Sequence, residues 1–114
     1  IRQKTIEEQK KAESLEIEKL IETSDYLVCL DEHGKQFTSV QFADFLNKRM
    51  VSGCKRVVFL IGGPFGIDKT ILDKSSYVLS LSNMTFSHQM IRLFFCEQLY
   101  RGFSILKNEK YHHE

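Results

Sequence analysis

The sequence has little of what marks several large protein classes. Its 114 residues include no tryptophan, one proline and three cysteines. No apolar run approaches the roughly 20 residues that a membrane-spanning helix needs. The cysteines, Cys29, Cys54 and Cys96, are odd in number, lie far apart and match no CxxC or Cys/His ligand spacing. We therefore expect reduced core thiols and no metal site.

The sequence also lacks an excess of charge of either sign, because it has 16 Lys and Arg residues and 15 Asp and Glu residues, which gives a net charge of +1. This balance argues against a protein that coats nucleic acid without specificity, since such binding draws on many phosphate contacts. A small local RNA footprint stays possible. The amino terminus is charged and shows no signal peptide, so the sequence predicts a cytoplasmic protein.

Helical and strand patterns alternate along the chain, which is typical of an α/β fold with a parallel sheet and flanking helices. The predicted strands are Tyr26–Leu30, Val57–Ile61 and Ser76–Leu81, and the first is followed by a predicted turn, Asp31–Gly34. The second strand is apolar without alternation, as in a strand buried on both faces. The predicted helices are Gln3–Glu22, one that begins at Thr38 or Ser39 and ends near Gly53, Asp68–Lys74 and Ser87–Lys107.

A glycine-rich turn, Gly62–Gly66, follows the second strand. Glycine allows a ligand to approach the backbone closely, but a plain connection from strand to helix explains the same residues. The turn matches neither GxGxxG nor a phosphate-binding loop, since Lys69 and Thr70 stand at the wrong offset.

The loop after the third strand, Leu81–Phe86, mixes hydroxyl, amide and apolar groups. Such a mixture suits a ligand with a polar edge and an apolar ring, although a loop that only caps the next helix is the plain alternative. In parallel sheets ligands bind beyond the carboxyl ends of the strands. If the three strands are neighbours, Leu30, Gly62 and this loop form one site.

The last predicted helix is apolar on two sides. One stripe contains Cys96, Leu99, Phe103 and Leu106, with Arg92 projecting into it, and the other side carries Met90, Leu93 and Phe94. Such a helix is buried on both sides, either as the central helix of a monomer or against a partner subunit. Arg92 is then an ion-pair member or a site residue, whereas Arg101 pairs by default with Glu97 at i, i+4.

Several strings together carry a family resemblance: LIGGPFG at 60–66, YVLSLSNMTFSHQMIRLFFCEQLYRGFSI at 77–105, KYHHE at 110–114 and the LxxxGK turn at 30–35. The chain resembles the RlmH-type large-subunit rRNA methyltransferases of the SPOUT (α/β-knot) superfamily over essentially its whole length. Ser87 departs from the family pattern, which commonly has proline there, and Phe65 stands where an acidic residue is common.

The resemblance implies transfer of a methyl group from S-adenosyl-L-methionine to N3 of a pseudouridine in 23S rRNA, on the assembled ribosome. It implies a C-terminal trefoil knot and a homodimer packed through the helix Ser87–Lys107. The implied cofactor residues are Leu30, Gly62, Leu81, Ser82, Asn83, Met84, Thr85 and Phe86. The candidates for substrate handling are His88, Arg92, Arg101, Tyr111 and His112, with no base assigned among them.

Family members begin with a further strand and helix, so we interpret residues 1–114 as a single SPOUT domain that lacks them. A second hypothesis of a different class is a catalytically silent, dimeric ribosome- or RNA-binding protein on the same fold. Binding of S-adenosylmethionine separates the two hypotheses.

Overall fold

The computed structural model describes residues 5–63 and 65–109. Helices and strands alternate through this part of the chain, as the sequence predicts. Their bounds are α1 Ile6–Leu20, β1 Tyr26–Gln36, α2 Ser39–Val51, β2 Val57–Ile61, α3 Lys69–Lys74, β3 Tyr77–Ser80 and α4 His88–Leu106.

The strands form a parallel sheet in the order β2-β1-β3, which confirms the predicted parallel α/β architecture. The central strand β1 is buried at Leu27–Leu30, and its side chains alternate between the two faces of the sheet. Strand β2 is less buried than predicted, so the prediction that it is buried on both faces is wrong in part. Both faces of β2 carry packed side chains, but every residue of it is half-buried because it lies at the sheet edge in the described part of the chain.

The first strand does not end at Leu30, so the predicted turn at Asp31–Gly34 is wrong as a strand boundary. The strand continues to Gln36, and a bulge between Leu30 and Lys35 brings both of these residues opposite Leu79 of β3. A Cβ atom at Gly34 would lie 2.7 Å from the carbonyl oxygen of Val78. The bulge therefore needs glycine at this position to lie against β3.

Helices cover both faces of the sheet. Helices α2 and α4 pack on one face, around Val28, Phe42, Leu46 and Phe95. Helices α1 and α3 pack on the other, where Ile17 of α1 and Ile71 of α3 contact the side chains of β1 and β2. The result is a three-layer sandwich whose strands end at one common edge.

Local signals set the helix ends as predicted. The Thr38 hydroxyl accepts a hydrogen bond from the backbone N–H of Gln41, whose side chain returns one to the Thr38 N–H, a capping box. Gly53 follows α2 with a φ of +80°, the left-handed conformation that ends many helices. Ser87 caps α4 by accepting from Met90 N–H. Ser87 is thus the N-cap of α4, one residue before the helix begins at His88.

Helix α4 is rotated relative to the predicted stripes, and these predictions are wrong in part. Its buried face centres on Phe95 and Gly102, where a Cβ would lie 2.9 Å from Leu46 Cδ1. Leu99 and Leu106 do pack on the core, but Cys96 is exposed and Phe103 is 37% exposed. Met90, Leu93 and Phe94 are exposed too. Among the described residues, one side of α4 therefore faces away from the sheet and is left uncovered.

The cysteines are not all core residues either. Only Cys29 is buried, Cys54 is half-buried and Cys96 is exposed, and all three are unpaired thiols. Burial in β1 raises the pKa of Cys29 to about 11, which makes this thiol unreactive at neutral pH. Across residues 5–63 and 65–109, no helix has the length and hydropathy to cross a membrane.

Candidate functional site

The three predicted strand ends meet in one cleft of about 710 Å³ at the carboxyl edge of the sheet. Leu30 and the β1 bulge form one wall, and the glycine turn after β2 forms a second. The third wall is the loop after β3 together with the first turns of α4. The lining residues are Lys10, Leu30, Asp31, Glu32, His33, Ile61, Gly62, Gly63, Phe65, Gly66, Ile67, Leu81, Ser82, Met84, Thr85, Phe86, Ser87, His88 and Ile91.

The structure brings together all but one of the residues proposed from the sequence to contact a cofactor. Those that line the cleft are Leu30, Gly62, Leu81, Ser82, Met84, Thr85 and Phe86. Asn83 is exposed and does not line the cleft. The convergence follows from the topology, since parallel neighbouring strands place their carboxyl ends side by side.

Gly62 has an intramolecular reason to be glycine. A Cβ atom there would lie 2.8 Å from the carbonyl carbon of Gly66 and 2.9 Å from Ile67 Cγ1. The turn closes on itself through a hydrogen bond of 3.0 Å from Gly66 N to Gly63 O, and Gly66 has a φ of +82°. The tight turn therefore accounts for Gly62 before any ligand is considered.

The loop after β3 is held by its own hydroxyl groups. The Ser80 hydroxyl donates to Ser82 O at 2.8 Å, and the backbone N–H of Met84 donates to Ser82 Oγ at 3.0 Å. These bonds fix the loop from within, as serine-containing turns do. Thr85 donates instead to another wall of the cleft, since its Oγ1 lies 2.7 Å from Glu32 Oε2.

The residues proposed to handle the substrate lie at different distances from the cleft. His88 is the first residue of α4 and lines it. Arg92, one turn later, is exposed and makes no ion pair with any residue that the structure describes. Arg101 forms the predicted i, i+4 pair with Glu97 at 3.1 Å and lies about 20 Å beyond His88 along the helix axis. Tyr111 and His112 lie outside the described residues.

Sequence reasoning missed three charged or titratable residues of the cleft. Lys10 of α1 reaches it, although the charge-rich pattern of that helix indicated only a solvated face. Glu32 and His33 belong to the segment interpreted as a turn. Asp31 Oδ1 holds this segment in shape by accepting from the backbone N–H of His33 at 2.9 Å and lying 3.0 Å from its ring Nδ1. The signal that could have identified Glu32 and His33 is their place directly after the predicted strand Tyr26–Leu30.

A second cavity of about 740 Å³ adjoins the cleft, between the start of α2, the end of β3 and α4. The two spaces share Leu81, Ser82 and Phe86 as a common wall. Phe86 and Phe94 meet edge to face at this wall, with ring centroids 5.2 Å apart. The loop after β3 thus has a cavity on each side.

Nothing in the donor set suits a metal ion, since no group of three or more His, Cys, Asp or Glu side chains converges within residues 5–63 and 65–109. The acidic side chains of the cleft, Asp31 and Glu32, are engaged by His33 and Thr85. The walls of the cleft mix polar and apolar groups, a mixture that is typical of organic ligand sites.

Comparison with known proteins identifies the family. A family model described as "Predicted SPOUT methyltransferase" matches residues 1–112. A protein of Christiangramia forsetii named ribosomal RNA large subunit methyltransferase H is 56% identical over 93 residues, which is 82% of this chain and 59% of the relative. Proteins of the same name from Flavobacterium psychrophilum and Parabacteroides distasonis are 56% and 53% identical over 107 residues, or 94% of this chain and 68% of each relative.

The chain belongs to the SPOUT methyltransferase family, and its resemblance to the RlmH type is confirmed. It spans about 59% to 68% of the length of the three relatives just described.

Proposed function

We propose that the chain is the SPOUT domain of an enzyme that transfers a methyl group from S-adenosyl-L-methionine to N3 of a pseudouridine in 23S rRNA, on the assembled ribosome in the cytoplasm. The observation that carries the proposal is the meeting of three strand-end segments, around Leu30, Gly62 and Leu81–Phe86, in one cleft. The names of the relatives support an rRNA substrate. The C-terminal trefoil knot is part of the proposal.

The chemistry of the cleft fits this cofactor. Its volume of about 710 Å³ lies within the range of organic ligand sites. Apolar side chains such as Leu30 and Phe86 can cover a purine ring, while backbone groups of the loop 81–86 can bond to the polar edge of that ring. Asp31 and Glu32 bring negative charge to a site proposed to receive a sulfonium and an ammonium group. We propose cofactor contacts at Leu30, Gly62, Leu81, Ser82, Met84, Thr85 and Phe86, and at Asn83 as a member of the same loop that does not line the cleft.

The bound cofactor supplies the methyl group, on a sulfonium that is already reactive. The walls of the cleft contribute orientation and exclusion of water, which are the main demands of an in-line displacement. N3 of the acceptor carries a proton, so a base beside it speeds the reaction. His88 is the described candidate that lines the cleft, and an imidazole can accept this proton. Arg92 is exposed one turn away, and we propose it as a contact to RNA phosphate.

A homodimer through α4 forms part of the same proposal. The side of α4 that faces away from the sheet exposes large apolar groups: Leu93 at 62%, Tyr100 at 56% and Met90 at 42%. Large exposed apolar side chains on one helix support an interaction surface there, and a second copy is the commonest partner. Arg101 and the terminal Tyr111 and His112 stay candidates for substrate handling within the dimer.

Calorimetry with S-adenosylmethionine is the first test, using the full protein. We expect binding at one site for each chain, and an absence of binding would sink the enzyme proposal. The second test is methyl incorporation into ribosomes that lack the modification. Cofactor binding without incorporation would favour the alternative, a catalytically silent dimeric protein that binds ribosomes or RNA.

The role of His88 is tested with His88→Asn. Loss of a general base is expected to lower kcat by about 10²- to 10⁴-fold, with cofactor affinity little changed. Asp44→Asn is the matched control, because Asp44 forms only an exposed pair with Lys48 on α2. A His88→Asn variant that keeps the wild-type kcat would exclude His88 as the base.

A further inference from the structure

We propose that Glu32 is a positioning residue that links two walls of the cleft by holding Thr85. The link joins the bulge of β1 to the loop after β3, and it sets the distance between these walls. Its effect on cofactor binding rests on the proposed function, whereas the link itself is a property of the free protein.

The link is a hydrogen bond of 2.7 Å from Thr85 Oγ1 to Glu32 Oε2, between residues 53 positions apart in sequence. Both residues line the cleft. Within the described part of the chain, no other side-chain hydrogen bond or ion pair joins segment 31–34 to segment 81–87. A bond from a hydroxyl to a carboxylate is stronger than one between neutral groups. The backbone pairing of β1 and β3 brings the two walls together, and this side-chain bond adds a contact at the point where they meet.

Both ends of the link lie on backbone that is already held in place. On the side of Glu32, the bulge is fixed by the bonds from His33 to Asp31 and by the close approach of Gly34 to Val78. On the side of Thr85, Ser82 fixes the turn through Met84 N. Because both segments already have a fixed shape, a bond between them positions one segment relative to the other.

The remaining carboxylate oxygen of Glu32 also has a neighbour, because Oε1 lies 4.0 Å from His33 Nε2. The Glu32 side chain is 40% exposed, so the site is reached by water. Threonine has a branched and therefore stiff χ1, which favours a single direction for its hydroxyl group. We therefore assign the link to the hydroxyl group of Thr85, which donates to Glu32, and not to its methyl group.

The first measurement is amide hydrogen exchange in the free protein, and it needs no cofactor. Thr85→Val keeps the size of the side chain and removes the donor, whereas Thr85→Ser keeps the donor. We expect faster exchange in both 31–34 and 82–87 for Thr85→Val and for Glu32→Ala, and near wild-type exchange for Thr85→Ser and for the control Asp44→Asn. Unchanged exchange in the segment opposite the substitution would overturn the link.

The second measurement is a double-mutant cycle on the affinity for S-adenosylmethionine. Thr85→Val and Glu32→Ala are each expected to weaken binding about tenfold, and the double variant by clearly less than the product of the two losses, because both substitutions remove the same bond. Thr85→Ser restores affinity, and KM for the cofactor rises more than kcat falls. If the double variant binds S-adenosylmethionine about a hundredfold more weakly than the wild type, the two single losses are independent and the proposed role of the link is overturned. If the wild type binds no cofactor while exchange is coupled between the segments, the proposed function fails and the link stands.

Discussion

Gly62→Ala tests whether the glycine turn is built by its own packing or by a ligand. The new Cβ would lie 2.8 Å from the carbonyl carbon of Gly66, whereas carbon atoms in contact are normally about 3.5–4.0 Å apart. Because the obstacle is backbone, the turn itself must shift. Overpacking of this kind costs about 1–3 kcal/mol, and at roughly 4 °C per kcal/mol for a domain of this size the melting temperature falls by about 4–12 °C.

The matched control is Gly63→Ala, one residue later in the same turn. Its Cβ would meet nothing closer than Glu13 Oε2 at 3.5 Å, an ordinary contact. This variant is expected to be neutral or to gain about 0.4–1 kcal/mol from reduced chain entropy in the unfolded state. Thermal unfolding followed by circular dichroism, with calorimetry for S-adenosylmethionine, completes the experiment.

The two outcomes of Gly62→Ala differ in kind. If turn packing is the reason for the glycine, stability and cofactor affinity fall together, since the displaced turn is a wall of the cleft. If Gly62→Ala keeps the wild-type melting temperature and loses only cofactor affinity, the glycine serves ligand approach and the packing argument is refuted. An equal loss of stability in Gly63→Ala would refute it as well.

Three further predictions concern stability and assembly. Thr38→Ala removes the capping box with Gln41 and should cost about 1 kcal/mol in urea unfolding, while Thr38→Ser should cost less; equal losses would mean that the hydroxyl is not the cap. Hydrogen bonds from Arg56 and from the backbone of Glu22 lower the pKa of Asp25 below its ordinary value of 3.8. The ionised Asp25 side chain therefore stabilises the fold above pH 3.8, and this contribution is lost as the pH falls through the pKa of the folded state. The difference in unfolding free energy between wild type and Asp25→Asn should therefore shrink between pH 7 and pH 3, and a constant difference would contradict this cause. Leu93→Glu should convert the proposed dimer to monomer in light scattering without lowering the helix content, and a dimer that persists would place the interface elsewhere.

Much of the fold follows from local sequence. Strand β2 and helix α4 have the predicted bounds to within a residue, because apolar runs and caps act over a few neighbouring residues. The end of β1 was misjudged for a non-local reason. Asp31–Gly34 has the composition of a turn, but its backbone continues along β3 through a bulge, and only the partner strand determines that.

The candidate site divides in the same way. Residues at strand ends, such as Leu30 and Ser82, could be proposed from sequence because parallel topology gathers strand ends at one edge. Lys10 could not, because it reaches the cleft only through the way α1 packs across the sheet. The bond between Glu32 and Thr85 joins segments 53 residues apart, and no periodicity encodes such a contact.

The order of helices and strands, the parallel sheet and the segments that follow each strand can be predicted from sequence, because they depend on hydrophobic period, turn residues and caps. Which side of α4 is covered depends on packing between distant parts of the chain. That helix is apolar on two sides, so its pattern is compatible with several rotations, and the close fit of Gly102 against Leu46 selects one. The reason for glycine at position 62 and the contacts that join the walls of the cleft also depend on the tertiary structure, since both are set by distances between atoms of different segments.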